Sequence, residues 1–185
     1  MWECPDFFPV SKTSLVGLDT SINDADVKHV LKVSLKNKDT YKIGTYNVGK
    51  DIYIPDKGSL ENNSGLRYDY GKFYASKTFF DSAKNRRILW GWINESSSVN
   101  DDIKKGWSGI QAVPRTLVLD KSGKEMVQWP IVELEKLRTK HVKLPNIVLK
   151  GGSLHEVLGV TPVQADVEIT FEISDLKKAG VFDPS

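Results

Sequence analysis

One carboxylate in this sequence stands in a setting that suits acid–base chemistry. Glu3 lies between Trp2 and Cys4 and is followed by a proline, an aspartate and two phenylalanines. A carboxyl group among bulky apolar side chains loses hydration, which favours its protonated form. A carboxyl that stays protonated near neutral pH can serve as a general acid. The local residues also leave open the alternative that Glu3 is an ordinary exposed residue near a chain terminus.

The other groups that could carry chemistry are scattered. Cys4 is the only cysteine, so the sequence offers no cysteine pair for an internal disulfide or a zinc site. His29, His141 and His155 lack metal-ligand spacing, and we expect surface or locally bonded histidines. No nucleophile-elbow, phosphate-binding or dinucleotide-binding motif occurs. Glu3 is therefore the remaining catalytic candidate.

Three tryptophans and two sequons allow both a functional and an ordinary interpretation. Trp90, Trp92 and Trp107 could form a sugar-stacking platform. Because Trp90 and Trp92 stand two residues apart in a predicted strand, they share a face, and we expect them to pack within a sheet. Asn62 and Asn94 each begin an Asn-x-Ser sequon in a polar stretch typical of loops. Alone, the sequons are a weak indication of secretion.

Composition excludes several classes of protein. The 185 residues include 26 Lys and Arg against 24 Asp and Glu, a net charge of +2, and 39% are hydrophobic. This length corresponds to one domain and part of another and is sufficient for a core. A net charge this small argues against a dedicated nucleic-acid binder. No apolar run approaches the roughly 20 residues of a membrane helix.

The elements that must position these groups are predicted to be β-strands. Alternating apolar and β-branched residues between turn signals favour an all-β fold built from hairpins. We predict strands over 29–36, 41–46, 51–54, 73–80, 87–93, 116–119, 125–129 and 165–173. The clusters 29–54 and 73–119 resemble two four-stranded units of a sandwich, barrel or propeller. The best helix candidate is 132–138, which could equally be extended.

The first ten residues resemble the W-E-C-P-D motif of plant cell-wall invertases and fructan exohydrolases, which belong to glycoside hydrolase family 32. The resemblance continues in family order and covers essentially the whole chain. Its blocks are V-K-H-V-L-K, I-G-T-Y, L-R-Y-D-Y-G-K-F-Y-A, L-W-G-W with N-E-S, G-W-S-G-I-Q and P-R. So many ordered blocks are highly specific.

The resemblance implies the later blades of a five-bladed β-propeller followed by the start of a C-terminal β-sandwich. We expect a partial catalytic propeller over residues 1–140, a linker over 141–155 and the beginning of the sandwich over 156–185. The family cleaves β-fructofuranosidic bonds with retention of configuration, and it implies no metal ion or organic cofactor. The expected partners are sucrose or small fructans and a proteinaceous invertase inhibitor, with no nucleic acid and no membrane.

The resemblance also assigns roles to single residues. Glu3 matches the family's general acid/base, and Cys4 would lie against it and tune its acidity. Pro5 matches the cell-wall type, which implies a secreted protein of the apoplast. The N-E-S block raises Asn94 above Asn62 as an N-glycosylation site.

The sequence departs from the family pattern in two places. A retaining glycosidase needs a second carboxylate as nucleophile, about 5–5.5 Å from the acid. The family's N-D-P-N and R-D-P motifs, which hold the nucleophile and the stabilising Asp, are absent, so we expect a fragment that is inactive alone. Because some members of the family keep the fold but lose a catalytic carboxylate, a non-catalytic carbohydrate-binding homologue stays open as an alternative. In addition, the segment 36–42 resembles a shortened substrate loop. There Asp39 and Lys42 are candidates for binding the glucose unit of sucrose, or else they belong to a solvated turn, and the short loop keeps a fructan exohydrolase open.

Overall fold

In a computed structural model, the described residues are 2–57, 66–160, 165–173 and the single positions 175, 177 and 180. They form two antiparallel sheets of five strands each, and the all-β prediction is confirmed. The strands are β1 (Glu3–Ser11), β2 (Val27–Leu35), β3 (Lys38–Asn47), β4 (Ile52–Pro55), β5 (Leu66–Arg67), β6 (Phe73–Asp81), β7 (Arg86–Ile93), β8 (Ile110–Gln111), β9 (Arg115–Leu119) and β10 (Met126–Pro130). Asn62 lies outside the described residues.

Each sheet is a meander of four main strands with one short added strand. The first sheet has the order β1-β2-β3-β4, with β5 paired to β3, and the second has the order β6-β7-β9-β10, with β8 paired to β7. The two predicted clusters therefore correspond to the two sheets. The first prediction lacked β1, and the second ended before β10.

The turn between β2 and β3 is tighter than predicted. Lys36 and Asn37 both have positive φ, 52° and 59°, which is the conformation of a two-residue hairpin turn. β3 begins immediately afterwards, at Lys38. The segment 36–42 is consequently a tight turn followed by a strand, and Asp39 and Lys42 belong to that strand.

One apolar cluster joins the two sheets. It contains side chains from β1, β2 and β3 of the first sheet and from β6, β7, β9 and β10 of the second. Burial of these side chains is the main force that holds the sheets face to face. The principal members are Phe8, Val10, Val30, Tyr41, Ile43, Phe73, Leu89, Leu117, Leu119 and Met126.

Within the described ranges, helical structure is limited to short segments. A 3₁₀ helix over Val48–Lys50 precedes β4, and another over Val132–Leu137 occupies the predicted helix region. The α-helix α1 (Val99–Lys105) was not predicted. It begins with a capping box between Ser98 and Asp101 and ends at Gly106 with φ 80°, both standard helix-end signals. Among the described residues, no helix is long and apolar enough to cross a membrane.

The chain divides into two units, Met1–Leu134 and Glu135–Ser185. In the described part of the second unit, residues 138–160 and 165–173 contain no strand. The strand predicted over 165–173 is therefore wrong for this chain. Its apolar side chains, Val167, Ile169, Phe171 and Ile173, are 64–71% exposed, because no strand among the described residues pairs with the segment.

Candidate active site

Glu3 is presented by a β-bulge at the start of β1. Glu3 pairs with Ser34 and Asp6 pairs with Lys32, so β1 advances three residues while β2 advances two. Cys4, inside the bulge, has φ 43°. Bulges of this type re-aim side chains and occur frequently beside active sites. The bulge therefore follows Glu3 directly, and it lies between Glu3 and the regular pairing that resumes at Asp6.

A second bulge, in β6, presents the partner of Glu3. Tyr74 pairs with Trp92 and Lys77 pairs with Trp90, again three residues against two, and Ala75 has φ 54°. The Tyr74 hydroxyl donates a hydrogen bond to the Glu3 carboxylate. Glu3 accepts this hydrogen bond, and its negative charge disfavours the ionised form of Tyr74. Together these effects raise the pKa of Tyr74 to about 12. The two bulges thus unite groups that lie 71 residues apart in sequence.

The expected desolvation of Glu3 by its apolar neighbours is wrong for this chain. Glu3 is exposed, and so is Trp2. Phe8 is instead fully buried in the core, and Phe7 stacks on the ring of His29 at 5.1 Å. The hydrogen bond from Tyr74 is the contact that the structure gives to the Glu3 carboxylate. An exposed carboxylate with one donor is accessible to a substrate.

Contacts with β6 hold the bulge of β1 in place. Asp6 is buried and accepts a 2.7 Å hydrogen bond from the Thr78 amide. The Lys77 ammonium donates to the Pro5 carbonyl and lies 3.8 Å from Asp6. Half-buried Cys4 has its carbonyl 3.3 Å from the Lys32 ammonium. The backbone that carries Glu3 is therefore attached to the second sheet.

The structure does not bring Asp39 and Lys42 together. They stand three positions apart in β3, and side chains separated by an odd number of positions project from opposite faces of a strand. The Asp39 carboxylate is buried against Lys32 and Ser34, whereas Lys42 is half-buried. A joint role in substrate binding stays a prediction, and the burial of Asp39 argues against it.

The three histidines differ in their exposure, and the structure gives them no common site. His29 is buried rather than on the surface, and burial lowers its pKa, whereas His141 and His155 are exposed. Among the residues that the structure describes, no group of three His, Cys, Asp or Glu could hold a metal ion.

The tryptophans and the second sequon are accessible in this chain. The exposed fractions of Trp90, Trp92 and Trp107 are 37%, 39% and 48%, so the sheet-packing prediction is not met by this chain. Asn94 is exposed and follows the last residue of β7. This position is compatible with the predicted glycan.

Comparisons with known proteins define the class and then the family. Residues 1–130 match the glycosyl hydrolases family 32 N-terminal domain. The chain is 63% identical to fructan 6-exohydrolase of Beta vulgaris, over 95% of the chain and 29% of that protein. It is 60% identical to an insoluble isoenzyme of β-fructofuranosidase from Arabidopsis thaliana, over 100% of the chain and 33% of that protein. These matches place the chain in the glycoside hydrolase class of sequences, and it belongs to family 32.

A solved structure supports the same assignment. Fructan 1-exohydrolase IIa from Cichorium intybus, crystallised as a Glu-to-Gln variant with 1-kestose, matches with a TM-score of 0.79 and 50% identity, over 86% of this chain and 30% of that one. The chain spans about a third of the length of the curated relatives it matches.

Sequence reasoning found Glu3 but missed its surroundings. Tyr74 lies in a block that resembles the family, yet nothing in its local sequence indicates contact with Glu3. Lys32 carried a usable signal, because it alternates with Val30 and Ser34 on the inward face of β2. A lysine on a buried strand face requires a partner, and the structure supplies Asp39.

Proposed function

We propose that this chain is part of a retaining glycosidase that hydrolyses β-fructofuranosidic bonds, with Glu3 as the general acid/base. The observation that carries the proposal is the exposed Glu3 carboxylate, presented by a bulge and hydrogen-bonded by Tyr74. In this role Glu3 protonates the glycosidic oxygen of the leaving sugar and then deprotonates the attacking water. The nucleophile is a carboxylate of the longer protein, outside this chain.

We further propose that the two sheets are two blades of a β-propeller. Each is a four-stranded meander, and the two pack face to face as neighbouring blades do. The exposed alternating side chains of 165–173 fit a strand of a following sandwich that needs a partner from the longer protein. The proposed division remains a propeller part over 1–140, a linker over 141–155 and the sandwich from 156.

The proposed substrate is sucrose, and a fructan is the second candidate. Relatives named β-fructofuranosidase support sucrose, because the glycosidic bond of sucrose is a β-fructofuranosidic bond. Burial of Asp39 favours a fructan, because this side chain was a candidate for holding the glucose unit of sucrose and is instead engaged in the interior. Initial rates of the full-length protein on sucrose, inulin and levan decide between them: hydrolysis of inulin or levan with negligible sucrose hydrolysis contradicts the invertase proposal.

The proposed location is the plant cell wall. Relatives carry the names insoluble isoenzyme and cell wall isozyme, and the exposed Asn94 sequon fits a secreted glycoprotein. The proteinaceous inhibitor stays a prediction.

Replacing the proposed acid tests the function directly. In the full-length protein, Glu3→Gln is expected to reduce kcat on the natural substrate roughly 10²–10⁴-fold, the usual contribution of general acid–base catalysis. Glu125→Gln is the matched control, because Glu125 is an exposed carboxylate just before β10. Near-normal turnover of the Glu3→Gln variant would refute the assignment.

A further inference from the structure

A buried ion pair lies between the strands that carry the two bulges. The side chains of Lys32 and Asp39 are 0% and 1% exposed, and Lys32 Nζ lies 3.3 Å from Asp39 Oδ2. Desolvating two charges costs several kcal/mol, so such a pair adds little net stability over an apolar pair of similar volume. The more informative question is which groups these charges hold in place.

The Lys32 ammonium contacts both bulges. It lies 3.3 Å from the Cys4 carbonyl in the β1 bulge and donates a 2.5 Å hydrogen bond to the Ser76 carbonyl in the β6 bulge. A bulge interrupts the regular ladder of backbone hydrogen bonds, and buried backbone groups need replacement partners. One cation therefore serves the backbone of two bulges on different sheets.

The Asp39 carboxylate also binds the β6 bulge, at the same residue as Lys32. Its Oδ2 accepts a 2.8 Å hydrogen bond from the Ser76 amide, and its Oδ1 accepts a 2.5 Å bond from the Ser34 hydroxyl. Ser34 is the residue that pairs with Glu3 across β1 and β2. The two charges thus bind both backbone groups of Ser76 and reach the strand partner of Glu3.

We propose that Lys32 and Asp39 are positioning residues for the acid–base step, because together they fix the two bulges whose leading residues, Glu3 and Tyr74, form the hydrogen-bonded pair. The proposal rests on the proposed role of Glu3. Because both side chains are buried, the proposed role acts through the two bulges and not through contact with the substrate. Loss of the pair displaces the carboxylate from the glycosidic oxygen, and a displacement near 1 Å can cost as much as 10²-fold in rate.

The test compares two leaving groups in the full-length protein. The natural substrate needs protonation of its leaving oxygen, whereas a nitrophenyl β-fructofuranoside releases a nitrophenolate with little need for an acid. Lys32→Met is expected to reduce kcat/KM on the natural substrate at least about tenfold more than on the aryl fructoside. A merely structural defect lowers the active fraction and reduces both values equally, so the ratio reports positioning.

Lys28→Met is the matched control. Lys28 is a lysine of the same strand, with its ammonium 2.7 Å from Asp56 and no contact to either bulge, and the ratio of its two kcat/KM values should not change. If Lys32→Met does not fold, the double variant Lys32→Met/Asp39→Asn, which leaves no unpaired buried charge, gives the same comparison.

The outcomes separate this inference from the proposed function. Glu3→Gln must itself show a selective loss on the natural substrate, and equal losses on both substrates would refute the role of Glu3. A selective loss in Glu3→Gln with equal losses in the Lys32 variants would overturn only the positioning role of the ion pair.

Discussion

Removing Lys32 alone should destabilise the protein far more than removing an exposed lysine of the same strand. Without Lys32, the Asp39 carboxylate stays buried at 1% exposure with no cation beside it. Breaking a buried ion pair from one side costs about 3–5 kcal/mol. Asp39 keeps its bonds from the Ser34 hydroxyl and the Ser76 amide, so we expect the lower end, about 3 kcal/mol.

Two further variants test whether this loss of stability comes from the unpaired charge of Asp39. The side chains of Lys28 and Asp56 are 26% and 37% exposed, and exposed pairs contribute about 0.2–1 kcal/mol, so Lys28→Met should stay below about 1 kcal/mol. Lys32→Met/Asp39→Asn removes both buried charges and should recover about 2 kcal/mol of the loss in Lys32→Met, because no unpaired charge remains.

The assay is urea unfolding of the full-length protein, followed by tryptophan fluorescence, with the free energy of unfolding taken from transitions of equal slope. If Lys32→Met loses no more free energy of unfolding than Lys28→Met, the unpaired buried charge of Asp39 does not carry the expected cost. A double variant that is no more stable than Lys32→Met would lead to the same conclusion.

Three further predictions concern single groups. The pKa of Tyr74, about 12 because Glu3 accepts a hydrogen bond from its hydroxyl, should fall toward 10 in Glu3→Gln. Ultraviolet titration with Tyr74→Phe as the blank measures this pKa, and an unchanged value contradicts the hydrogen bond. Burial lowers the pKa of His29, so protonation favours unfolding and stability is lost as pH falls through about 6.5. His29→Phe should lose less stability between pH 7 and 5, and an equal loss contradicts this. In a secreting host, Asn94→Gln should lower the apparent mass by one glycan, and an unchanged mass contradicts occupancy.

Most strands of the two sheets could be predicted because each has a buried face and a turn at its end. The strand β1 could not, because it contains Pro5 and Pro9, and proline lowers the strand propensity of a segment. Among the described strands β1 has β2 as its neighbour, with a further isolated bridge from Val10 to Gly17, and such an edge position tolerates a missing amide donor.

The segment 165–173 shows that a strong strand pattern is not sufficient to form a strand. Its alternation is the most regular in the sequence, yet the described chain forms no strand there. Alternation indicates which side chains would share a face, but a strand also needs a neighbour for its backbone hydrogen bonds. A pattern within nine residues contains no information about whether that neighbour is present.

The candidate site was predictable only as far as a local motif reaches. Glu3 follows from the opening motif, but its contact with Tyr74 depends on two bulges in strands of different sheets. Each bulge depends on cross-strand register, which is a long-range property. Asp39, a candidate for substrate binding in a predicted loop, is a buried anion in β3, and its role in substrate binding stays a prediction.

The proposed function depends on Glu3 acting as the acid/base of a retaining β-fructosidase. The most direct measurement is azide rescue of Glu3→Ala in the full-length protein, with a nitrophenyl β-fructofuranoside as substrate. Azide attacks the glycosyl-enzyme without needing a base, so we expect faster nitrophenolate release and a β-fructofuranosyl azide product, with retained configuration. No acceleration by azide, or an α-configured azide, would contradict this role of Glu3.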